Sequence, residues 1–570
     1  MGTFETVYRE RLIEDLLRSD VVELPISDLD VSSSEDDEVL RSSAKPTMYE
    51  GPLIESPTRR ISAQELMAYN PRKEFKISPD GERVAYFSTG KWGGVYVFRK
   101  GKSGYFRERV IRSLVDDFEW ASDDRILYAN TVSGYGSDLR CKVLGEKGSV
   151  GLRKEGDFQY DIIDGLINDP DFALIRARSR DEEVWSVYRL NLNTGFRTKI
   201  REKQEGSNRY LLDENGEIRL VVVEMGERLG SGSDEKLKCM PDWWYTDDCD
   251  PLGVFSAGEK LLFKARHKSD RSSLFTMNLL ENSAPTLLWS HEFVDLESVV
   301  CSKLDGKPLV AFFEFEYPEY YSFDREIDEA LVRFSELSGF SHFRRMDVDL
   351  AGKRFVIECV SDKNIGKTFY FDSTSDEWEL LDDRSPLIEE SELASVTPVE
   401  FRSIDDLLVR GYLTLPNGRI NGRLPLVAIP HGGPWTRDYW EYNPMVQFFA
   451  NRGFAVLQMN FRGSSGYGEV FKRAGDKEWG FGMQDDISYG VKWAVEQRIA
   501  DPDKIIICGG SYGGFAALSG MVFTPDLYRA GIMINGVYDL EEMILSLEGR
   551  GRDYWNERVG DPSTEKGLIA

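Results

Sequence analysis

The sequence predicts two unlike folds in one chain: a β-propeller from about Ile61 to about Leu393, and an α/β domain with a parallel, doubly covered sheet from about Val396 onward. Three observations carry this. Strand-turn-strand units recur in the first region with a period of roughly 40 to 50 residues, which is what a blade of about four strands requires. In the second region strands alternate with helices, the pattern of a parallel sheet covered on both faces. There, Gly509-Gly510-Ser511-Tyr512-Gly513-Gly514 follows the apolar run Lys504–Cys508 and precedes a small-residue helix over Phe515–Met521.

The elements follow in order. Within residues 1–60, Arg9–Arg18 reads as a short amphipathic helix, and Ser19–Arg60 as a disordered linker rich in Ser, Pro and acids, including the run Ser32–Glu38. Over residues 61–393, Phe75–Tyr86 places two strands around Pro79-Asp80-Gly81, and Phe118–Tyr128 repeats the plan. Leu211–Val223 repeats it across Glu214-Asn215-Gly216, and Val254–Phe263 across Ala257-Gly258-Glu259. Six to eight blades fit this length. The visible period favours a propeller over a large irregular β-sandwich. Val396–Pro416 reads as a hairpin opening the last domain, residues 394–570. Its strands are expected at Leu426–Ile429, Ala455–Met459, Ile505–Cys508 and Gly531–Ile534. Between them a helix over Gln484–Arg498 has Ile487, Val491, Ala494 and Val495 on one face.

Composition excludes several classes of function. The chain has 71 basic and 98 acidic residues and a formal charge of −27, which repels nucleic acid phosphates and anionic lipid surfaces. The six cysteines, Cys141, Cys239, Cys249, Cys301, Cys359 and Cys508, show no CxxC spacing and read as reduced thiols. Met1–Leu17 has no apolar signal core, and no run is long enough to span a bilayer. A cytoplasmic protein is expected, with no metal and no cofactor.

Three motifs carry chemistry. Ser511 sits where a tight strand-to-helix turn pushes a serine out of the sheet, with glycines at 509 and 513 where neighbouring backbones approach. It is the candidate nucleophile. His431-Gly432-Gly433-Pro434 ends the strand Leu426–Ile429, where the N–H of Gly433 and the N–H of Tyr512 would form an oxyanion hole. His431 itself reads as a buttress of that turn rather than as the catalytic base. In the third loop, Asn460–Gly468, Arg462 either holds a substrate carbonyl or pairs with a carboxylate such as Asp485 or Asp486.

Taken together and in this order, the blades and the three loops resemble the prolyl oligopeptidase family of serine peptidases, most closely its acylaminoacyl-peptidase and dipeptidyl-peptidase-like branch. The resemblance runs from about Ile61 to the end and is specific from Val396 onward. It implies a propeller capping an α/β-hydrolase domain, cleavage of short peptides, exclusion of folded proteins, and Ser511, Gly433 and Tyr512 in the roles above. It also implies an acid and a base in loops after the seventh and eighth strands, whereas Gly531–Ile534 resembles the sixth. All four histidines, His267, His291, His342 and His431, precede Ser511, and Asp539, Asp553 and Asp561 come too early to serve. An incomplete hydrolase domain of impaired activity is therefore expected, and a homo-oligomer is left open. The competing readings are a non-catalytic binding or regulatory protein and, more weakly, a carboxylesterase.

Overall fold

The computed structural model describes residues 59–564, apart from 68–73, 89–92, 102–103, 114, 133–135, 153–156, 180–184, 205–207, 224–229, 232–237, 240–243, 245–247, 280, 282, 385–387 and 419–421. The expected helix Arg9–Arg18 and the acidic run lie outside these residues. The chain divides into two compact units, one of Asn70–Ser385 with Ser465–Val470, the other of Met1–Tyr69, Pro386–Ser464 and Phe471–Ala570.

The first unit is a β-propeller. Among the described residues it has seven antiparallel sheets, six of four strands and one of three, each built from strands consecutive in sequence. We call them blades 1 to 7: residues 75–111, 117–151, 157–204, 208–239, 250–289, 298–322 and 343–383. The three-stranded blade is the sixth. After its last strand, Pro318–Ser322, the chain enters helix α2, Arg325–Ser338 (α1, Ala63–Met67, belongs to the other unit). The Asp324 carboxylate accepts hydrogen bonds from the N–H groups of Glu326 (2.8 Å) and Ile327 (3.1 Å), and Gly339 ends the helix at φ 77°. Ile327, Ala330, Leu331 and Phe334, on one helical face, are buried in a core with Phe343, Phe369 and Phe371 of blade 7. The sequence reading had only strands here.

One device recurs between blades. The first residue of the second strand is an arginine in blades 1, 2 and 7, and each reaches a carbonyl in the first turn of the next blade. Arg83 Nη1 donates to Asp123 O (3.1 Å) and Arg125 Nη1 to Pro170 O (3.2 Å). Arg354 Nη1 donates to Asp80 O (2.6 Å), so the same contact joins the last blade to the first. Leu350 N–H to Pro79 O (3.0 Å) and Tyr370 Oη to Gly81 O (3.1 Å) complete that seam. Among the described residues no strand is exchanged across it, and Ile77, Val84, Tyr86, Val356 and Tyr370 pack beneath.

The second unit holds one sheet of six strands: β1 Val396–Arg402, β2 Leu408–Thr414, β3 Leu424–Pro430, β4 Ala455–Asn460, β5 Ala500–Gly510 and β6 Ala530–Ile534. Their order is β1-β2-β4-β3-β5-β6, antiparallel across the first two pairings and parallel thereafter. On one face Leu426, Ala428 and Ile507 pack with Ile487 and Val491 of α4 (Gly482–Glu496) and Ala516 and Ala517 of α5 (Tyr512–Phe523). On the other, Val427, Ile429 and Cys508 pack with Val446 of α3 (Pro444–Ala450). The alternation along β3 thus serves two cores.

Residues 59–67 correct one expected position, because Ile61 lies with this sheet and not with the blades. Asn451 at the end of α3 accepts from Ile61 N–H (2.8 Å) and donates to Arg59 O (3.0 Å), and Tyr442 Oη donates to Leu66 O (2.8 Å). Ile61 and Leu66 are fully buried, and the first blade strand starts only at Phe75.

The seam between blades 7 and 1 gives a first prediction. Arg354 also bonds Asp372, whose carboxyl, despite the upward push of burial, is held below its usual value by hydrogen bonds from Thr374 and Arg354. Arg354→Met strands that carboxylate and should cost about 1–3 kcal/mol in denaturant unfolding. Arg325→Met, which loses only an exposed pair with Glu329, should cost no more than about 0.5 kcal/mol. Equal losses would show that the seam does not depend on Arg354.

Candidate active site

Ser511 joins β5 to α5 at φ 56°, ψ −121°, a conformation that side-chain-bearing residues rarely adopt. Its surroundings impose it. A Cβ at Gly509 would fall far inside van der Waals contact of Gly513, and one at Gly513 would collide with Pro430 O at the end of β3. With no room on either side, the chain turns sharply and Ser511 alone projects. Its N–H donates to Ile534 O (3.0 Å) at the end of β6, and its carbonyl accepts from Gly514 and Phe515 (3.0 and 3.1 Å) to open the helix. The serine is half-buried, and among the described residues its Oγ makes no hydrogen bond.

Tyr512 is the first residue of α5, so its N–H has no acceptor within the helix. Its ring is buried against Trp479 (centroids 4.5 Å apart) and Phe461 (5.4 Å), which fixes the peptide that carries the N–H. The loop after β3 lies against the elbow, since a Cβ at Gly432 would sit 3.6 Å from that of Ser511 and 3.3 Å from Gly510 O. Gly433 follows at φ 114°, and its peptide bond to Pro434 is cis.

His431 is stacked on Phe461 with centroids 4.3 Å apart, and both ring nitrogens are engaged, Nδ1 with Gly432 O (2.7 Å) and Nε2 with Ser464 Oγ (2.8 Å). Burial pushes its pKa down to about 4, so the ring is neutral near pH 7. It holds the turn and does not touch Ser511.

Arg462 corrects the other open assignment. Its Nε donates to Asp486 Oδ2 (2.9 Å) and its Nη2 to Asp486 Oδ1 (2.7 Å), while Nη1 and Nη2 also bond the Asp405 carboxylate (3.0 and 2.9 Å). Asp486 further accepts from the Arg462 N–H (2.8 Å) and from Ser403 Oγ (2.5 Å). With four guanidinium donor contacts spent on two carboxylates, the side chain is a buried anchor of the loop and is not free to meet a substrate. Asp486 had been named as a partner. Asp405, 57 residues away, gave no sequence signal. Asp539 caps helix α6 (Leu540–Leu545) through Glu542 N–H (2.8 Å), and Asp561 caps a turn through Ser563. The sequence reading also missed an aromatic group beside the loop after β3, in which Trp435 meets Trp555 (5.2 Å) of α7, Gly549–Arg558, and Trp555 meets Trp479 (5.8 Å).

Two outcomes follow from this geometry. If φ 56° at residue 511 stores strain, Ser511→Gly should be more stable than Ser511→Ala by about 1 kcal/mol in denaturant unfolding. Identical stabilities would mean that the turn is relaxed. For His431, the folded value of about 4 lies below the ordinary 6.5, so between these pH values the unfolded chain binds a proton that the folded one refuses. Stability should therefore fall as pH drops through that window, by up to about 3 kcal/mol, and level off below it. His431→Gln should flatten this part of the profile, and an unchanged profile would show that His431 does not resist protonation.

Comparison with known proteins gives a consistent result. Residues 440–566 match the model of the prolyl oligopeptidase family. Dipeptidyl aminopeptidase BIII of Pseudoxanthomonas mexicana is 28% identical over 417 residues, 70% of this chain and 60% of that protein. The acylamino-acid-releasing enzyme of Arabidopsis thaliana is 31% identical over 134 residues, 23% of this chain and 18% of that one. The chain thus spans about 60% of the length of the first of these and less of the second. A puromycin-hydrolyzing peptidase of Mycobacterium tuberculosis shares the fold with a TM-score of 0.65 at 16% identity, over 91% of this chain and 85% of that one. With the blades, the sheet order and the glycine-bound elbow already in place, the chain is thus similar to the prolyl oligopeptidase family over residues 440–566, and the relatives named above that it resembles are peptidases.

Proposed function

We propose that the protein is a serine-type oligopeptidase or exopeptidase acting on short peptides, in which Ser511 Oγ attacks the scissile carbonyl and the N–H groups of Gly433 and Tyr512 stabilise the oxyanion. The observation that carries this reading is the elbow itself: a half-buried serine at φ 56°, at a helix N-terminus, with Gly432 packed against it. As the carbonyl carbon becomes tetrahedral its oxygen takes up charge, which fixed N–H donors and the positive end of α5 favour over the planar substrate. Collapse to the acyl-enzyme expels the amine, and water then releases the acyl group. Access limited to short peptides is the role assigned to the blade unit. The acidic balance of the chain disfavours nucleic acid and anionic membranes as partners, and a cytoplasmic location accords with its reduced thiols. Among the described residues no helix is long and apolar enough to cross a membrane.

The attack needs a base for the serine proton. His431 is the one histidine in the sheet unit, and both its nitrogens are engaged elsewhere. This same observation favours a second reading, a binding or regulatory protein that uses the hydrolase scaffold without turnover. The two separate on purified 570-residue protein assayed with short peptide amides, with Ser511→Ala as control. The peptidase reading expects slow turnover above that of Ser511→Ala, which keeps only the factor of about 10³–10⁴ over water that an oxyanion hole and binding supply without the nucleophile. Peptide binding with no Ser511-dependent turnover would favour the second reading. Turnover undiminished in Ser511→Ala would remove Ser511 from the mechanism.

A further inference from the structure

The loop over residues 431–438 carries Gly433, and side chains from the end of β4 and the segment after it hold it at both ends. At its start, Ser464 Oγ meets His431 Nε2 at 2.8 Å. At its end, Asn460 Oδ1 accepts from Asp438 N–H (2.7 Å) and Asn460 Nδ2 donates to Asp438 O (3.1 Å), so one carboxamide satisfies both main-chain groups of a single residue. Gln458, two residues earlier on β4, adds Nε2 to Asp438 Oδ1 (2.9 Å). Asn460 and Ser464 are both completely buried. The segment that bears them is itself pinned, because Arg462 between them bonds the buried Asp486 through main chain and side chain.

A buried asparagine has to find partners somewhere, so its hydrogen bonds alone assign no role. Their destination does. Both go to the backbone of one residue of the loop that lies against Ser511, and the clamp at the start of that loop, Ser464, comes from the same pinned segment. We infer that Asn460 and Ser464 are positioning residues that fix the 431–438 backbone, and with it the Gly433 N–H, relative to Ser511. The inference rests on the reading of Gly433 as an oxyanion donor. Neither residue touches Ser511. They act through the loop, and a donor that wanders by about an ångström loses most of its preference for the transition state.

The test uses the full chain with Asn460→Ala, Asn460→Asp and Ser464→Ala. Hydrogen exchange followed by mass spectrometry is read on peptides covering 431–440 and, separately, on β3 and β5. Asn460→Ala should speed exchange in 431–440 by about tenfold or more while β3 and β5 keep their protection. Asn460→Asp, which can still accept from Asp438 N–H, should lie between it and the wild type, and Ser464→Ala should loosen the start of the loop. The same proteins are assayed for Ser511-dependent hydrolysis of a p-nitrophenyl ester. There kcat should fall by about 10- to 100-fold in Asn460→Ala with KM within about twofold, less than the 10²–10³ that follows outright loss of a donor. Unchanged exchange over 431–440, exchange that rises equally across β3 and β5, or an unaltered kcat in the presence of a loosened loop would each overturn the inference. A wild-type protein with no Ser511-dependent ester hydrolysis counts against the nucleophile reading instead, and the exchange measurements then decide the clamp by themselves.

Discussion

The site depends on a place where two backbones touch. At Gly513 the first turn of α5 lies on Pro430 O, the end of β3, so closely that even a methyl group has no room, and Gly509 meets Gly513 in the same way from within the turn. These contacts force the reversal between β5 and α5, and the reversal forces positive φ on Ser511. A residue in such a conformation costs of order 1–3 kcal/mol and persists only if its surroundings over-determine it. They do so here. Tyr512, Ala516 and Ala517 are buried against Trp479, Met483 and Ile487, and each large apolar side chain buried in this cluster contributes about 1.5–3 kcal/mol, the same order as the strain. The serine is held out because the helix behind it is held in.

Two buried cation-type groups near this turn are stabilised in opposite ways. His431, stacked on Phe461 and bonded to Gly432 O and Ser464 Oγ, gives up its charge to burial. Arg462 keeps its charge because Asp486 and Asp405 neutralise it. Each solution suits a structural task, since a neutral imidazole can hold a hydroxyl without importing charge and a guanidinium can tie a loop to a helix and a strand turn at once. Cys508 illustrates a third case. It stands three residues before Ser511, but burial pushes its thiol pKa up to about 12, so it is a small apolar side chain of the core and no rival nucleophile.

What the sequence made legible was whatever its local pattern decides. The four parallel strands, the helix over Ile487–Val495 and the elbow all come from short-range signals, apolar runs, a 3.6 period and paired glycines, and each was found close to its expected place. The blades were legible as a period. Their number was not, because several strands are short and the sixth blade replaces its last strand by α2. That helix did leave a signal, Asp324 as a cap and Ile327, Ala330, Leu331 and Phe334 in helical spacing, but the surrounding strand texture masked it. Arg462 with Asp405, and Ile61 with Asn451, 390 residues apart, are pairings that only tertiary structure creates. No periodicity encodes them. The arginine of the blade seam falls between these cases, since Arg83, Arg125 and Arg354 share a position that is recognisable only after the blades have been aligned in space.

Sheet order explains why the loops converge at all. In β1-β2-β4-β3-β5-β6 the strand β3 lies between β4 and β5, and these three are mutually parallel, so their carboxyl ends share one edge. The loop leaving β3 must then pass between the segment leaving β4 and the elbow leaving β5. Chain order alone would put β4 after β3 and suggest that the loop after β3 has a neighbour on one side only. Inserting β3 between its two successors gives it two, one bonded to it through Asn460 and Ser464 and one that it packs against at Ser511. A loop placed at a sheet margin would lack one of these neighbours, and its backbone would have to be fixed by its own residues. Here the fixing is done by residues whose own places are set by β4 and by Asp486 of α4, which leaves the glycines of the loop free to approach the serine without side chains of their own.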